Sequence, residues 1–509
     1  MKKILFPLLS CLLFFTACNP ENTNNAGNKA SSEDQNSEQT SDISIYKKYE
    51  AEDAEYGSLQ TGSDDSCTYV NLQSNAEDSI IFKIESEADC RAFLKIKSKG
   101  NGGQKENNIS VNDNLPGTFI SKDSVWEELS YSYIKLNSGE NTITISASWG
   151  WISLDYIELV NPKDIEMTGF NNFVTTPCDK NANDAAKNLM TEIAANYGKK
   201  IITGQMDLTW KDSIDMAERI HNDTGKYPKL MGYDFMNYIE NSGDGLNQTE
   251  EAIAWHKKGG YIHFCWHWRI TGPNGNHSFS TYSETDGKDN DGTDFIIPYT
   301  NGQWDTSSSE YNQLINDMDI IAAELKKLQQ EGVPVLWRPL HEASGNIGKY
   351  EDGKAWFWWG NSGAEAYVAL WKLMFERFTE YHNLHNILWV WNGQSKDFYP
   401  GDAYVDFIGQ DIYPDPYDYS SQYQQFITNV NYCDNPSTAP KMVALTENGT
   451  IPSPSECYEE HAMWAWFMTW NDGNTAEGES VEGNFWTGEY YNEQSHKEEV
   501  YSSSYVITR

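Results

Sequence analysis

The chain has 509 residues, 39% hydrophobic and 14% aromatic, enough for about two to four domains with sizeable cores. Asp and Glu outnumber Lys and Arg by 75 to 37, a formal charge of −38 at pH 7. That balance excludes the basic patches that displace counterions from nucleic acid, and it argues against a polyanionic substrate. A neutral ligand is compatible. The 19 Trp and 30 Tyr suit core packing and, as flat rings with polar handles, stacking on a ligand.

In chain order, "MKKILFPLLSCLLFFTAC" places two lysines, an apolar stretch and small residues before Cys18. That is an export signal over 1–17, too short to span a bilayer and followed by a polar run. "FTAC" resembles the lipobox of bacterial lipoproteins. The resemblance implies cleavage before Cys18, its lipidation, and a chain anchored by lipid to the bacterial outer membrane or cell surface; plain secretion is the alternative. Residues 18–44 are polar with almost no apolar content, so burial cannot offset their ordering entropy and a flexible tether is expected. Beyond Cys18 the cysteines are Cys67, Cys90, Cys178, Cys265, Cys433 and Cys457. None forms a CxxC pair, so zinc is not expected. Export permits disulfides, and Cys67–Cys90 and Cys433–Cys457 are plausible local bridges.

From 45 to 161, short alternating runs such as "SIIFKIES", "RAFLKIKS", "ENTITISAS" and "WISLDYIELV" are separated by Gly, Asn and Asp. They predict an all-β sandwich of jelly-roll type. From 165 to 509 apolar strand-like runs alternate with helical patterns. In "YNQLINDMDIIAAELKKLQQEG", Tyr311, Leu314, Ile315, Met318, Ile321, Leu325 and Leu328 recur at helical spacing. Eight strand candidates, from "KKIITGQ" to "AMWAWFMTWN", predict an α/β fold, a (β/α)8 TIM barrel. An open doubly wound sheet is the fallback, but no GxGxxG opens a helix.

In a barrel the polar residues at the C-terminal strand tips line the active face. The tips carry His263, Trp266 and His267 on strand three, Arg338, His341 and Glu342 on strand four, Asp411 and Tyr413 on strand six, Glu447 on strand seven and Trp470 on strand eight. Two glutamates among Trp, Tyr and His suit glycoside hydrolysis, in which one carboxyl group protonates the leaving oxygen and the other attacks or activates water. Arg-paired strand caps are the plainer reading of each glutamate taken alone.

"RPLHEASG", "WFWWG", "DIYP" and "LTENG", in that order over about 175–509, resemble glycoside hydrolase family 26, mostly retaining endo-β-1,4-mannanases. The resemblance implies Glu342 as acid/base and Glu447 as nucleophile. It also implies that His341, Arg338, Tyr413, Trp356, His267, Asp411 and Trp470 bind substrate or orient the glutamates, that the substrate is a neutral β-mannan, and that catalysis needs no cofactor. Related families of the same fold include lichenase-like β-glucanases and β-1,3-xylanases, and a non-catalytic surface glycan-binding lipoprotein is a further alternative. An insertion at 346–355 departs from the family spacing and bears on Trp356. Retention requires carboxyl groups ~5–5.5 Å apart. It also calls for a raised pKa at Glu342 and a low one at Glu447, with Arg338 and Tyr413 producing the split.

"YEAEDA" and "GWISLDYIELV" resemble the two ends of carbohydrate-binding modules of families 35 and 6. That resemblance implies a structural Ca²⁺ held by Glu50, Glu52 and Asp155; an acidic strand without an ion is the alternative. Spacing alone puts Glu50 and Glu52 on one strand face. Tyr69, Trp126 and Trp149 are candidate sugar contacts.

Overall fold

The computed structural model describes residues 45–509 apart from 76, 113, 167, 209–214, 242, 244, 283–291, 346–353 and 474–479, and the side chains of 114–116. The export signal, Cys18, the tether and residues 346–353 of the insertion lie outside the described residues. The chain divides into two compact units between Ile165 and Glu166.

The first unit has strands β1 (Lys48–Glu50), β2 (Gln60–Ser63), β3 (Thr68–Leu72), β4 (Ser79–Ser86), β5 (Cys90–Gly100), β6 (Lys105–Val111), β7 (Asn114–Ser121), β8 (Glu127–Leu136), β9 (Gly139–Ser146) and β10 (Ile152–Val160). One antiparallel sheet runs β2-β3-β10-β5-β8 with β1 on β10, and the other runs β4-β9-β6-β7. Alternation decides which side faces in. Along β4, Ile80, Phe82 and Ile84 are buried, and across from them Ile143 and Ile145 of β9 are too. Each such side chain contributes about 1.5–3 kcal/mol by leaving water.

Two expectations fail here. Glu50 and Glu52 do not share a strand: β1 stops at Glu50, and a 3-10 turn over Ala51–Asp53 buries Ala51. None of the six described cysteines is in a disulfide. Cys67 precedes β3 and Cys90 opens β5, with β10 between those two strands. The Cys433 thiol donates instead to the Val430 carbonyl at 3.5 Å, and Cys457 is buried in a short helix, Pro454–Glu459.

The second unit is a closed barrel. Its strands, one to eight, are Ile201–Met206, Leu230–Asp234, Tyr261–Trp266, Val335–Pro339, Ile387–Trp391, Phe407–Ile412, Met442–Asn448 and Trp466–Thr469, each parallel to the next, with strand eight pairing back onto strand one. Strands four and five are buried at every position, as parallel strands covered on both faces must be. Helices Met216–Thr224, Gln248–Lys257, Ser309–Gln330, Ala364–Glu376, Tyr423–Val430, Pro454–Glu459 and Gln494–Ser502 form the outer layer; strand five is followed by two 3-10 turns, Lys396–Phe398 and Asp402–Tyr404. The helix Ser309–Gln330 buries Leu314, Met318, Ile321, Leu325 and Leu328 of the predicted stripe, leaves Tyr311 and Ile315 half-buried, and is capped by the Ser308 hydroxyl, which accepts from Tyr311 N at 3.0 Å.

Candidate active site

Closure of the barrel brings the tips of strands two to eight together. Arg338, fully buried on strand four, donates from Nη1 to Asp411 Oδ2 at 2.9 Å and from Nη2 to Glu447 Oε1. The Tyr413 hydroxyl donates to the other oxygen of Glu447, Oε2, at 2.6 Å. Asp411 Oδ1 accepts from Asn392 Nδ2 at 2.6 Å and from the Thr446 hydroxyl at 2.7 Å. One oxygen each of Glu342, Asp411 and Glu447 lies within 4.8 Å of the others. Three acidic groups so close could hold a cation, but a guanidinium bonded to two of them already supplies positive charge there.

Glu342 sits in a strained turn. Leu340 and Glu342 have φ of +53° and +50°, a conformation that costs about 1–3 kcal/mol per non-glycine residue. The tip of strand five holds it: Glu342 N donates to Asn392 O at 2.7 Å, Ser344 N to Gly393 O at 3.2 Å, and Gly345 N closes back on Glu342 O at 2.8 Å. Trp356 is joined directly to the turn, its N donating to Gly345 O at 3.1 Å. The insertion therefore does not displace Trp356 from the turn that carries Glu342.

His341 and His267 meet at 3.3 Å between their Nε2 atoms. His267 Nδ1 lies 2.5 Å from Asp234 Oδ2. Phe357 packs 5.0 Å from His341, and Trp470 lies 5.9 Å from His267, ring centre to ring centre. Trp356 is half-buried and meets Phe357 edge-on at 6.3 Å. Two residues of strand three fall outside this cluster. Trp266 stacks on Trp268 at 4.1 Å and is fully buried. His263 lies deeper in the barrel, fully buried, where burial and Arg338 push its pKa down.

The electrostatics separate the two glutamates, but not as expected. Burial, then Asp411 and Glu447, push Glu342 well above the carboxylate range. Burial and Asp411 also push Glu447 up, to about 7, although Arg338 and Tyr413 pull it back. A low pKa at Glu447 is thus not what the site produces. One guanidinium is shared by two carboxylates with a third alongside, and of the two glutamates Glu342 is the harder to ionise. Burial, then Arg338 and His267, hold His341 neutral.

Asp234, Asn392, Thr446, Phe357 and Phe485 belong to this site and escaped the sequence reading. Asp234 ends strand two and Asp411 is the penultimate residue of strand six, so the strand-tip rule could have found it. Asn392 follows strand five in "WVWNG". Phe485 packs on the Tyr413 ring at 5.3 Å from a loop with no motif to flag it.

In the sandwich, Tyr69 and Trp126 pack on each other at 5.5 Å, with Trp126 Nε1 donating to Asp64 Oδ2 at 2.8 Å. Trp149 is 65% exposed, and Trp151, which the sequence reading missed, is 48% exposed. Their loop is moored by Asn107, whose Oδ1 accepts from Gly150 N at 2.9 Å and from Ser148 N at 3.3 Å. Glu50, Glu52 and Asp155 offer the oxygen donors a hard cation takes, but one ligand atom from each does not gather within 4.8 Å of the others. Burial, then Asp155 and Glu52, push Glu50 up, and Glu52 Oε2 is buried without a partner. Asp155 is shared with Lys97, at 2.9 Å.

A closed (β/α)8 barrel with two neighbouring glutamates at its strand tips, one of them bonded to Arg338 and Tyr413, is the arrangement of a glycoside hydrolase. The family model for glycosyl hydrolase family 26 matches residues 178–509, and that for carbohydrate binding module (family 35) matches 47–162. The chain belongs to glycosyl hydrolase family 26. It is 34% identical over 475 residues to a mannan endo-1,4-beta-mannosidase of Thermothelomyces thermophilus, covering 90% of this chain and 89% of that one. It is 33% identical to mannan endo-1,4-beta-mannosidase B of a Piromyces species, covering 79% and 67%. Among solved structures, the Podospora anserina GH26-CBM35 beta-(1,4)-mannanase is 31% identical with a TM-score of 0.60, and a ruminal GH26 endo-beta-1,4-mannanase is 27% identical with a TM-score of 0.74. Each of these two comparisons covers 91% of this chain and 97% of the other.

Proposed function

We propose that the chain is a retaining endo-β-1,4-mannanase, with Glu447 as nucleophile and Glu342 as acid/base. The observation that carries this reading is the pair of glutamates with oxygens within 4.8 Å. Inverting enzymes hold their carboxyl groups about 6.5–9.5 Å apart to admit a water between them. Glu447, the first of the two to ionise, attacks the anomeric carbon while Glu342 gives its proton to the departing glycosidic oxygen. Glu342, now a base, then takes a proton from water as that water cleaves the covalent mannosyl-enzyme. Arg338 and Tyr413 hold the Glu447 carboxylate in line. His341, backed by His267, meets hydroxyls of the sugar, and Trp356 and Trp470 stack on its faces. Following the anomeric configuration of products from linear mannan and galactomannan by NMR tests this: β-products first support it, and α-products overturn it. Preference for mixed-linkage glucan or xylan would move the enzyme to a neighbouring specificity. Glu447→Ala should be inactive and folded; substantial residual hydrolysis would sink the assignment.

The sandwich serves as a mannan-binding module whose contact surface is Trp149 and Trp151. Loss of retardation in a mannan-containing gel on Trp149→Ala would support this; unchanged migration would remove it. Glu50, Glu52 and Asp155 would hold a structural Ca²⁺, whose oxygen-ligand preference they match; a chelator should then lower the unfolding midpoint. The export signal and lipid anchoring at Cys18 rest on "FTAC". Radiolabelled palmitate incorporation that Cys18→Ala fails to abolish would refute the anchor.

A further inference from the structure

We propose that Asp234 is a positioning residue of this reaction: through His267 it dictates which nitrogen of His341 carries the proton, and so whether His341 meets a bound sugar as acceptor or as donor. The inference rests on the reading of His341 as a sugar contact and extends it to a residue outside the cleft.

Asp234 closes strand two and is 2% exposed. His267 uses both of its oxygens. The backbone N–H of His267 donates to Oδ1 at 3.0 Å, and the ring Nδ1 lies 2.5 Å from Oδ2. Burial pushes the Asp234 carboxyl up, but His267 and the Cys265 thiol hold it below the ordinary range. An ionised carboxylate can only accept, so His267 carries a proton on Nδ1.

Consequences run along the pair. His267 Nε2 faces His341 Nε2 at 3.3 Å. Two ring nitrogens this close share one proton, because two protons collide and two lone pairs repel. A neutral imidazole has one N–H. For a neutral His267 with its Nδ1 site filled, the pair has a single arrangement: His341 Nε2–H donates to His267 Nε2. That leaves the lone pair of His341 Nδ1 free. This nitrogen is buried without a partner among the described residues, ready to accept from a sugar hydroxyl. Asp234 is thus the remote group that sets a tautomer, as second-shell carboxylates do elsewhere. The other ionisable groups facing the pair are Cys265 and His263 of strand three, Arg338 of strand four and Glu447 of strand seven.

Asp234→Asn tests this. The amide oxygen takes the His267 backbone N–H, so the amide NH₂ faces Nδ1 and turns it into an acceptor. His267 then keeps its proton on Nε2, and His341 is forced to carry its own on Nδ1. We expect kcat/KM on mannohexaose to fall about tenfold or more, and histidine ¹⁵N spectra to show both rings exchanging their protonated nitrogens. A merely structural role would lower the unfolding midpoint without that exchange. The wild-type spectrum needs no variant: His267 must be protonated on Nδ1 and His341 on Nε2. His267 protonated on Nε2 in the wild type, with or without Nδ1, or Asp234→Asn within about twofold of wild-type kcat/KM, overturns the proposal. A wild-type chain inactive on mannan would instead overturn the functional reading.

Discussion

Tyr413→Phe removes one atom and tests how the site ionises its nucleophile. The lost bond, Tyr413 Oη to Glu447 Oε2 at 2.6 Å, is charge-assisted. Such bonds contribute about 1.5–3 kcal/mol. At 1.36 kcal/mol per pKa unit, removing it should raise the Glu447 pKa by about one to two units. The sign follows from what the hydroxyl stabilises: it donates to the ionised carboxylate, so without it the protonated form gains. Glu447 already stands at about 7, and Arg338 remains to oppose the rise. The acidic limb of kcat/KM against pH, measured on mannohexaose, should therefore move up by about one to two units, with a rate loss of about ten- to a hundredfold below it. The fold should hold, because Tyr413 as a residue is already 45% exposed and the substitution leaves its contact with Phe485 in place. An acidic limb that stays put would refute the reasoning, since Tyr413 would then not be setting the charge of Glu447.

Three further outcomes follow from the same geometry. Glu342→Ala should lose about a hundredfold or more on mannan but still form the covalent intermediate from an aryl β-mannoside whose leaving group needs no proton, with added azide restoring turnover. Asp317→Asn should stabilise the protein above pH 6. Burial raises the Asp317 pKa from 3.8 to about 6 against a bond from Trp268, so the folded state binds the extra proton, and its stability falls as pH rises through that window. The roughly two-unit shift corresponds to at most about 3 kcal/mol at pH 7. The amide still accepts from Trp268, and urea unfolding should show the gain at pH 7 and none at pH 4. Gly150→Ala should lower the unfolding midpoint and weaken mannan retardation while leaving hydrolysis of mannohexaose unchanged. A Cβ there would lie 1.8 Å from the Gln73 carbonyl oxygen, at a φ of +62°.

The sequence by itself determined the two architectures and the principal pair. Alternation with period two in the first unit, and apolar strands alternating with 3.6-period helices in the second, are local properties of the chain. Glu342 and Glu447 were legible because each stands within a few residues of its strand, in "PLHE" and "LTEN", and the closing of a barrel brings all such tips together. What only the tertiary structure decided involves residues distant in the chain. Arg338 and Glu447 are 109 residues apart, and Tyr413 and Glu447 are 34 apart. Neither spacing says that Asp411 would crowd the same guanidinium and lift Glu447 to about 7. Asp234 reaches His267 across 33 residues, and Asn392 pins the Glu342 turn from the next strand. The Cys67–Cys90 bridge failed for the same reason, because a strand lies between β3 and β5 and chain proximity is not spatial proximity. Charge balance and proton position depend on through-space distances in a dry interior, where each pair interacts more strongly than in water. Those distances exist only once the barrel has closed.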